Sequence, residues 1–163
     1  MKVKLILITV VILLLSACGE KIPKTAMELF NRAEKHRQAK ETEFAINDLK
    51  LLVQHFSGDN LVTKSQYIIG DIYMNDLRDF EQAIKEYRKV IDDFDNAPEE
   101  PHARFMIGYI YSNILSQFEK AKIEYEAFLG KFPDHELAPS VRFELQYLGK
   151  DINEIEVLKN ITS

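Results

Sequence analysis

The sequence has no tryptophan, a single cysteine, six glycines and five prolines in 163 residues, and its charges show no basic excess. Each scarcity excludes something. A lone cysteine, Cys18, cannot close an internal disulfide, so a disulfide-built scaffold is ruled out. So few Gly and Pro exclude collagen-like and low-complexity chains. The formal charge is −5 and no Lys/Arg cluster stands out, so the basic footprint that gives nucleic-acid binders their phosphate affinity is missing, and no nucleic-acid partner is expected. Without Trp, the core has to come from Leu, Ile, Val, Phe and Tyr spread over many small faces, which favours helices packed on helices. What is present, 46% apolar and 29% charged residues, suits one compact domain.

Catalytic signatures are scarce as well. The sequence carries no HExxH, GxSxG, P-loop or GxGxxG, and its serines have no recognisable His and Asp partners. His36, His55, His102 and His135 fall in different predicted elements without metal-ligand spacing, and read as solvated surface residues. Asp92, Asp93 and Asp95 lack the Gly and distal Glu of a calcium loop and read as a solvated helix end. Asn160-Ile161-Thr162 is a glycosylation sequon by pattern only. The expectation is a non-enzymatic protein with no metal and no cofactor.

Residues 1–17 read as a signal peptide: Lys2 and Lys4 form a positive start, an apolar run extends from Leu5 to Leu15, and small residues follow. The charge-free stretch from Leu5 to Ala17 falls short of the roughly 18–20 residues that span a bilayer. Leu15-Ser16-Ala17-Cys18 resembles the bacterial lipobox, an aliphatic residue, two small ones and a cysteine. The resemblance implies cleavage between Ala17 and Cys18, with diacylglycerol on the Cys18 thiol and an N-acyl chain on its new amino group. Several acyl chains, at about 0.8 kcal/mol per buried methylene, give stable anchoring where one would be marginal. Gly19, in second position of such a mature chain, is similar to lipoproteins sent to the outer membrane. Removing Lys2 and Lys4 leaves 19 basic against 26 acidic residues, a net charge of −7. Residues 18–24 form a tether reaching roughly 25 Å at full extension, which would hold the domain near the lipid headgroups.

Beyond the tether the sequence repeats itself every 38 residues. The stripe Ala45, Leu49, Leu52, Val53, Phe56 recurs as Ala83, Tyr87, Val90, Ile91, Phe94 and as Ala121, Tyr125, Phe128, Leu129, Phe132. Its spacing, i, i+4, i+7, i+8, i+11, is one buried face of a helix, with alanine where a neighbouring helix comes closest. Upstream, Tyr67, Ile69, Gly70, Tyr73 recurs as Phe105, Ile107, Gly108, Tyr111. A helix-interior glycine costs about 1 kcal/mol relative to alanine, so Gly70 and Gly108 predict a contact too tight for a Cβ. Thr25-x-x-Glu28, Asp79-x-x-Gln82 and Ser116-x-x-Glu119 read as capping boxes, and turn-rich breaks follow each terminal Phe. These signals predict helix pairs near 25–57, 61–95 and 100–132, a single helix near 137–148, and a short helix over Asp151 to Lys159 before the tail.

This arrangement resembles the tetratricopeptide repeat family, whose unit of about 34 residues is a helix-turn-helix. The matching positions are Gly70, Tyr73, Ala83, Tyr87 and Gly108, Tyr111, Ala121, Tyr125, Pro133. The departures are the longer repeat, an extra residue between the helices (Asn75 to Arg78, Asn113 to Ser116), and Arg32 where the first repeat would carry Gly. The resemblance implies an all-α, antiparallel helix-pair solenoid over residues 25–148, with about three repeats, a C-terminal capping helix and then the segment 149–163. It also implies a groove lined by the first helices, with Lys64, Asp71, Met74, Asn75, His102, Tyr109, Ser112 and Asn113 exposed toward a partner. With the lipobox, the chain is similar in style to the BamD-type barrel-assembly lipoproteins and the Tol-Pal-associated periplasmic repeat proteins. That implies a scaffold on the periplasmic face of the outer membrane whose partners are envelope or outer-membrane proteins. The alternative expectation is a lipoprotein binding a glycan or peptidoglycan fragment, with Tyr67, Phe105 or Tyr109 stacked on sugar rings.

Overall fold

The computed structural model describes residues 23–150. The expected signal peptide, Cys18, all of the tether except Pro23 and Lys24, and the expected helix at 151–159 lie outside the described residues.

Within them the chain forms seven α-helices: α1 (Ala26–Gln38), α2 (Thr42–His55), α3 (Leu61–Asp71), α4 (Phe80–Asp92), α5 (Glu100–Tyr109), α6 (Phe118–Lys131) and α7 (Ala138–Gln146). The expected pairs are α1–α2, α3–α4 and α5–α6, with α7 as the single closing helix. Their cores interlock. Ala45, Ile46 and Leu49 of α2 pack with Ile68 and Ile69 of α3, Tyr87 and Val90 of α4 with Ala103 and Ile107 of α5, and Tyr125 and Phe128 of α6 with Ala138 and Val141 of α7. The second helix of each pair thus buries its stripe against the first helix of the next, so the pairs stack into a solenoid held by neighbour contacts. Each fully buried Leu or Phe in these seams contributes about 1.5–3 kcal/mol. Ala45, Ala83 and Ala121 are all completely buried, the close-approach role predicted for them.

The hairpins differ from expectation in an informative way. α3 and α5 do not stop before the loop; each widens into a π-helical turn, Ile72–Asp76 and Ile110–Ile114, closed by Leu77 N–H to Ile72 C=O at 3.1 Å and Leu115 N–H to Ile110 C=O at 3.0 Å. The extra length expected in the loop is therefore absorbed inside the helix, as a π-bulge does. All three hairpins then turn at a left-handed residue, Lys40 (φ 61°), Arg78 (φ 54°) and Ser116 (φ 52°), again 38 residues apart. The buried Ile69 and Ile107 lie nine residues before that turn, whereas the buried Ala33 lies seven before it. The first hairpin closes without a π turn.

One predicted cap is corrected. Thr25 accepts from Glu28 N–H (3.1 Å) and Asp79 from Gln82 N–H (3.0 Å), as expected of caps. Ser116 caps nothing: it is the left-handed turn residue, and Gln117 precedes α6 without a side-chain cap. Arg78 precedes Asp79 in the same register, so the true N-cap position falls one residue after Ser116.

Candidate partner-binding groove

On α3 and the π turn that extends it, the residues expected in the groove, Lys64, Asp71 and Asn75, lie seven and four residues apart. His102, Tyr109 and Asn113 repeat that spacing on α5 and its π turn. Lys64, Asn75 and Asn113 are exposed, while Asp71, Met74, His102 and Tyr109 are half-buried. Ser112, expected to be exposed, is buried (9%), because the π turn rotates it toward the α5–α6 interior.

The glycines explain how polar groups reach this face. A Cβ on Gly70 would stand 2.6 Å from the Tyr87 ring, and one on Gly108 would be at least as close to the Tyr125 ring, distances real side chains do not tolerate. Each ring passes close against the bare backbone and delivers its hydroxyl beyond the helix. Tyr87 donates to Asp71 Oδ1 at 2.6 Å and Tyr125 to Glu144 Oε2 at 3.5 Å. Burial pushes the Asp71 carboxyl above its usual range, more strongly than the Tyr87 hydroxyl, Arg37 and Tyr67 pull it down. Burial and the neighbouring carboxylates push Tyr67, Tyr87 and Tyr125 well above the usual phenol range, so their hydroxyls stay protonated donors. Arg37 closes the cluster through Asp76 at 3.1 Å, beside a cleft of about 600 Å³ lined by Glu34, Gln38, Lys40 and Thr42 at the first hairpin.

Asn75 and Asn113 occupy equivalent places in the π turns, and Asn113 already donates to Glu144 at 3.2 Å. Lys64 lies over the Phe30 ring, 5.3 Å from its centre. His102 and His135, read from sequence as separate surface residues, are both half-buried and meet edge to face at 5.4 Å; His102 also meets the Tyr67 ring at 6.4 Å. Among the described residues no group of three or more His, Cys, Asp or Glu is placed to hold a metal ion.

Sequence reasoning missed a second repeated feature. Asp48, Glu86 and Glu124 stand 38 residues apart, immediately before the buried Leu49, Tyr87 and Tyr125, and all three are buried. Asp48 is paired by Arg32 at 2.5 Å, Glu86 by Gln66, Gln82 and Lys89 at 2.7–2.9 Å, and Glu124 by Arg88 from the preceding repeat. The signal was available: an acid sits at the same phase of the apolar stripe in every repeat.

The geometry defines a class first: a stacked helix-pair solenoid presenting a face of tyrosine-bound carboxylates and amides. Residues 64–97 and 102–135 each match the family model of the tetratricopeptide repeat, a module that mediates protein–protein interaction, so these two segments are similar to that repeat. Comparison with curated proteins finds no match.

Proposed function

We propose that this chain is a lipid-anchored, non-enzymatic scaffold of the bacterial cell envelope, held at the outer membrane through acyl chains on Cys18 and docking an envelope protein in the groove of its first helices. The observation that carries the reading is the joining of the sequence Leu15-Ser16-Ala17-Cys18 to an interaction solenoid that begins with α1 at Ala26. Partner proteins of such a scaffold are themselves in or beside the membrane. The paired amides Asn75 and Asn113, each offering a donor and an acceptor, suit an extended main chain.

The test uses the full chain in bacterial cells. Labelling with an alkyne fatty acid is expected to mark the wild type and not Cys18→Ser, and to move with the membrane fraction only in the wild type. A photo-crosslinker at Asn75 is expected to trap a discrete membrane-fraction protein that the same group at Gln54, exposed on α2, does not trap. Equal labelling of wild type and Cys18→Ser would overturn the anchor, and equal crosslinking at both positions the groove.

A further inference from the structure

The first-helix face changes character toward the C-terminal end. Tyr67 and Asp71 of α3 are replaced at the same places by Phe105 and Tyr109 of α5, and by Phe143 and Tyr147 on and just after α7, 38 residues on each time. The paired rings lie four residues apart on one helical face, with centroids 6.4 Å apart for Phe105–Tyr109 and 4.8 Å for Phe143–Tyr147. Phe143 is 38% exposed, and the other three rings are partly exposed. Next to Phe143 in the sequence is Glu144, which accepts from Asn113 and Tyr125, both neutral donors, and which has no ion pair with a lysine or arginine among the described residues.

From this juxtaposition we infer that the two ring pairs form a stepped aromatic platform for a proline-rich, extended segment of the protein partner, with a basic residue beside it meeting Glu144. The inference deepens the scaffold reading and rests on it. Three arguments converge. Pyrrolidine rings stack on exposed aromatic faces, and a polyproline II segment enters such a groove with little ordering cost. The segment has no internal hydrogen bonds, which leaves its carbonyls free to accept from side-chain amides such as Asn113. Charge complementarity selects the flank, because a carboxylate held by neutral donors alone gains most from an incoming cation. Lys150, whose Nζ lies 5.3 Å over the Tyr147 ring, is the contact such a segment displaces.

The experiment titrates the full mature chain in detergent with a fluorescein-labelled peptide of nine prolines ending in two arginines, against a Gly/Ser peptide of equal length and charge and a GlcNAc tetramer. The proline peptide is expected to bind about tenfold tighter than the Gly/Ser peptide. Phe143→Ala and Tyr147→Ala are each expected to weaken it several-fold with unchanged circular dichroism, and Tyr147→Phe to leave it unchanged. Glu144→Gln is expected to weaken the arginine-bearing peptide and not nine prolines alone. Equal binding of the two peptides, indifference to Phe143→Ala, or binding of the sugar in place of the proline peptide would overturn the inference. If the proline peptide fails while Asn75 still crosslinks a membrane protein, only this inference falls; if both fail, so does the scaffold reading.

Discussion

At Gly70 a whole-molecule property depends on a missing methyl group. Tyr87 is completely buried and its ring cannot retreat, so Gly70→Ala must displace it from Asp71 or push α3 away from α4. Alanine gains about 1 kcal/mol of helix propensity, whereas overpacking of a filled core costs typically 1–3 kcal/mol. The clash is short enough that the second effect wins, and Gly70→Ala is expected to destabilise by about 1–2 kcal/mol in urea unfolding. The first repeat shows the compensation: Leu49 stands where Tyr87 does. Gly70→Ala combined with Tyr87→Leu is therefore expected to recover part of the loss, and a double mutant no better than the single would remove the explanation.

Left-handed residues give the opposite sign. Arg78 is exposed at φ 54°, a conformation costing an L-residue about 1–2 kcal/mol. Glycine removes that strain and gives back about 0.5–1 kcal/mol through unfolded-chain entropy. Arg78→Gly is expected to raise the urea midpoint by the equivalent of about 0.5 kcal/mol with an unchanged m-value. These residues also mark the limit of sequence reading. The pattern Ser-x-x-Glu suits a cap wherever it falls, and only the positive φ of Ser116 separates a turn residue from the cap one position later.

At the level of the element, helix pairs and their phases were legible because the apolar stripe recurs three times in one register, and recurrence outweighs local ambiguity. The π turns were not. Their sequence signature is extra length, and length alone does not say whether a helix widens or a loop grows. The buried acids showed their repeat phase in the sequence but not their burial: an acid at a helix position reads as solvent-facing unless its partners, distant in sequence, are known. Burial alone would raise Glu86 and Glu100, but hydrogen bonds from Lys89, Gln66 and Gln82 to the first, and from Lys131 and Arg104 to the second, outweigh it, and both carboxyls sit below their ordinary value of 4.5. A depressed folded value means stability that is present above the unfolded value and lost as pH falls through the folded one. The melting temperature is therefore expected to hold near neutrality and fall progressively below pH 4.5, with Glu86→Gln less stable at neutral pH and flatter in acid. Asp71, raised by burial, has the opposite sign and moderates that fall. A Glu86→Gln profile as steep as the wild type would show that this carboxylate does not carry the effect.

For the molecule as a whole, stability is a sum over neighbouring seams, and the two ends are unlike. The first hairpin closes without a π turn and flanks a mixed-charge cleft, while α5 and α7 carry the ring pairs. The groove residues were placed by resemblance, since their spacing on α3 and α5 follows from the repeat register. Their chemistry was not, because Tyr87–Asp71 and Tyr125–Glu144 join residues 16 and 19 apart through a gap that only the packed structure reveals.

The last consequence concerns distance from the membrane. Under the proposed anchoring, the chain from Cys18 to Thr25, the residue capping α1, spans at most roughly 25 Å, so a partner embedded in or lying on the same membrane meets the groove at high effective concentration. Inserting 20 Gly/Ser residues after Glu20 adds a flexible coil of about 22–27 Å root-mean-square span and touches nothing in α1–α7. The fold and the labelling of Cys18 are expected to be unchanged, while crosslinking from Asn75 to a membrane-held partner falls several-fold, because effective concentration drops steeply once a linker exceeds the distance it must bridge. Crosslinking that is indifferent to the insertion would mean that the partner is free in solution, and that the short tether serves to retain the scaffold without setting its reach.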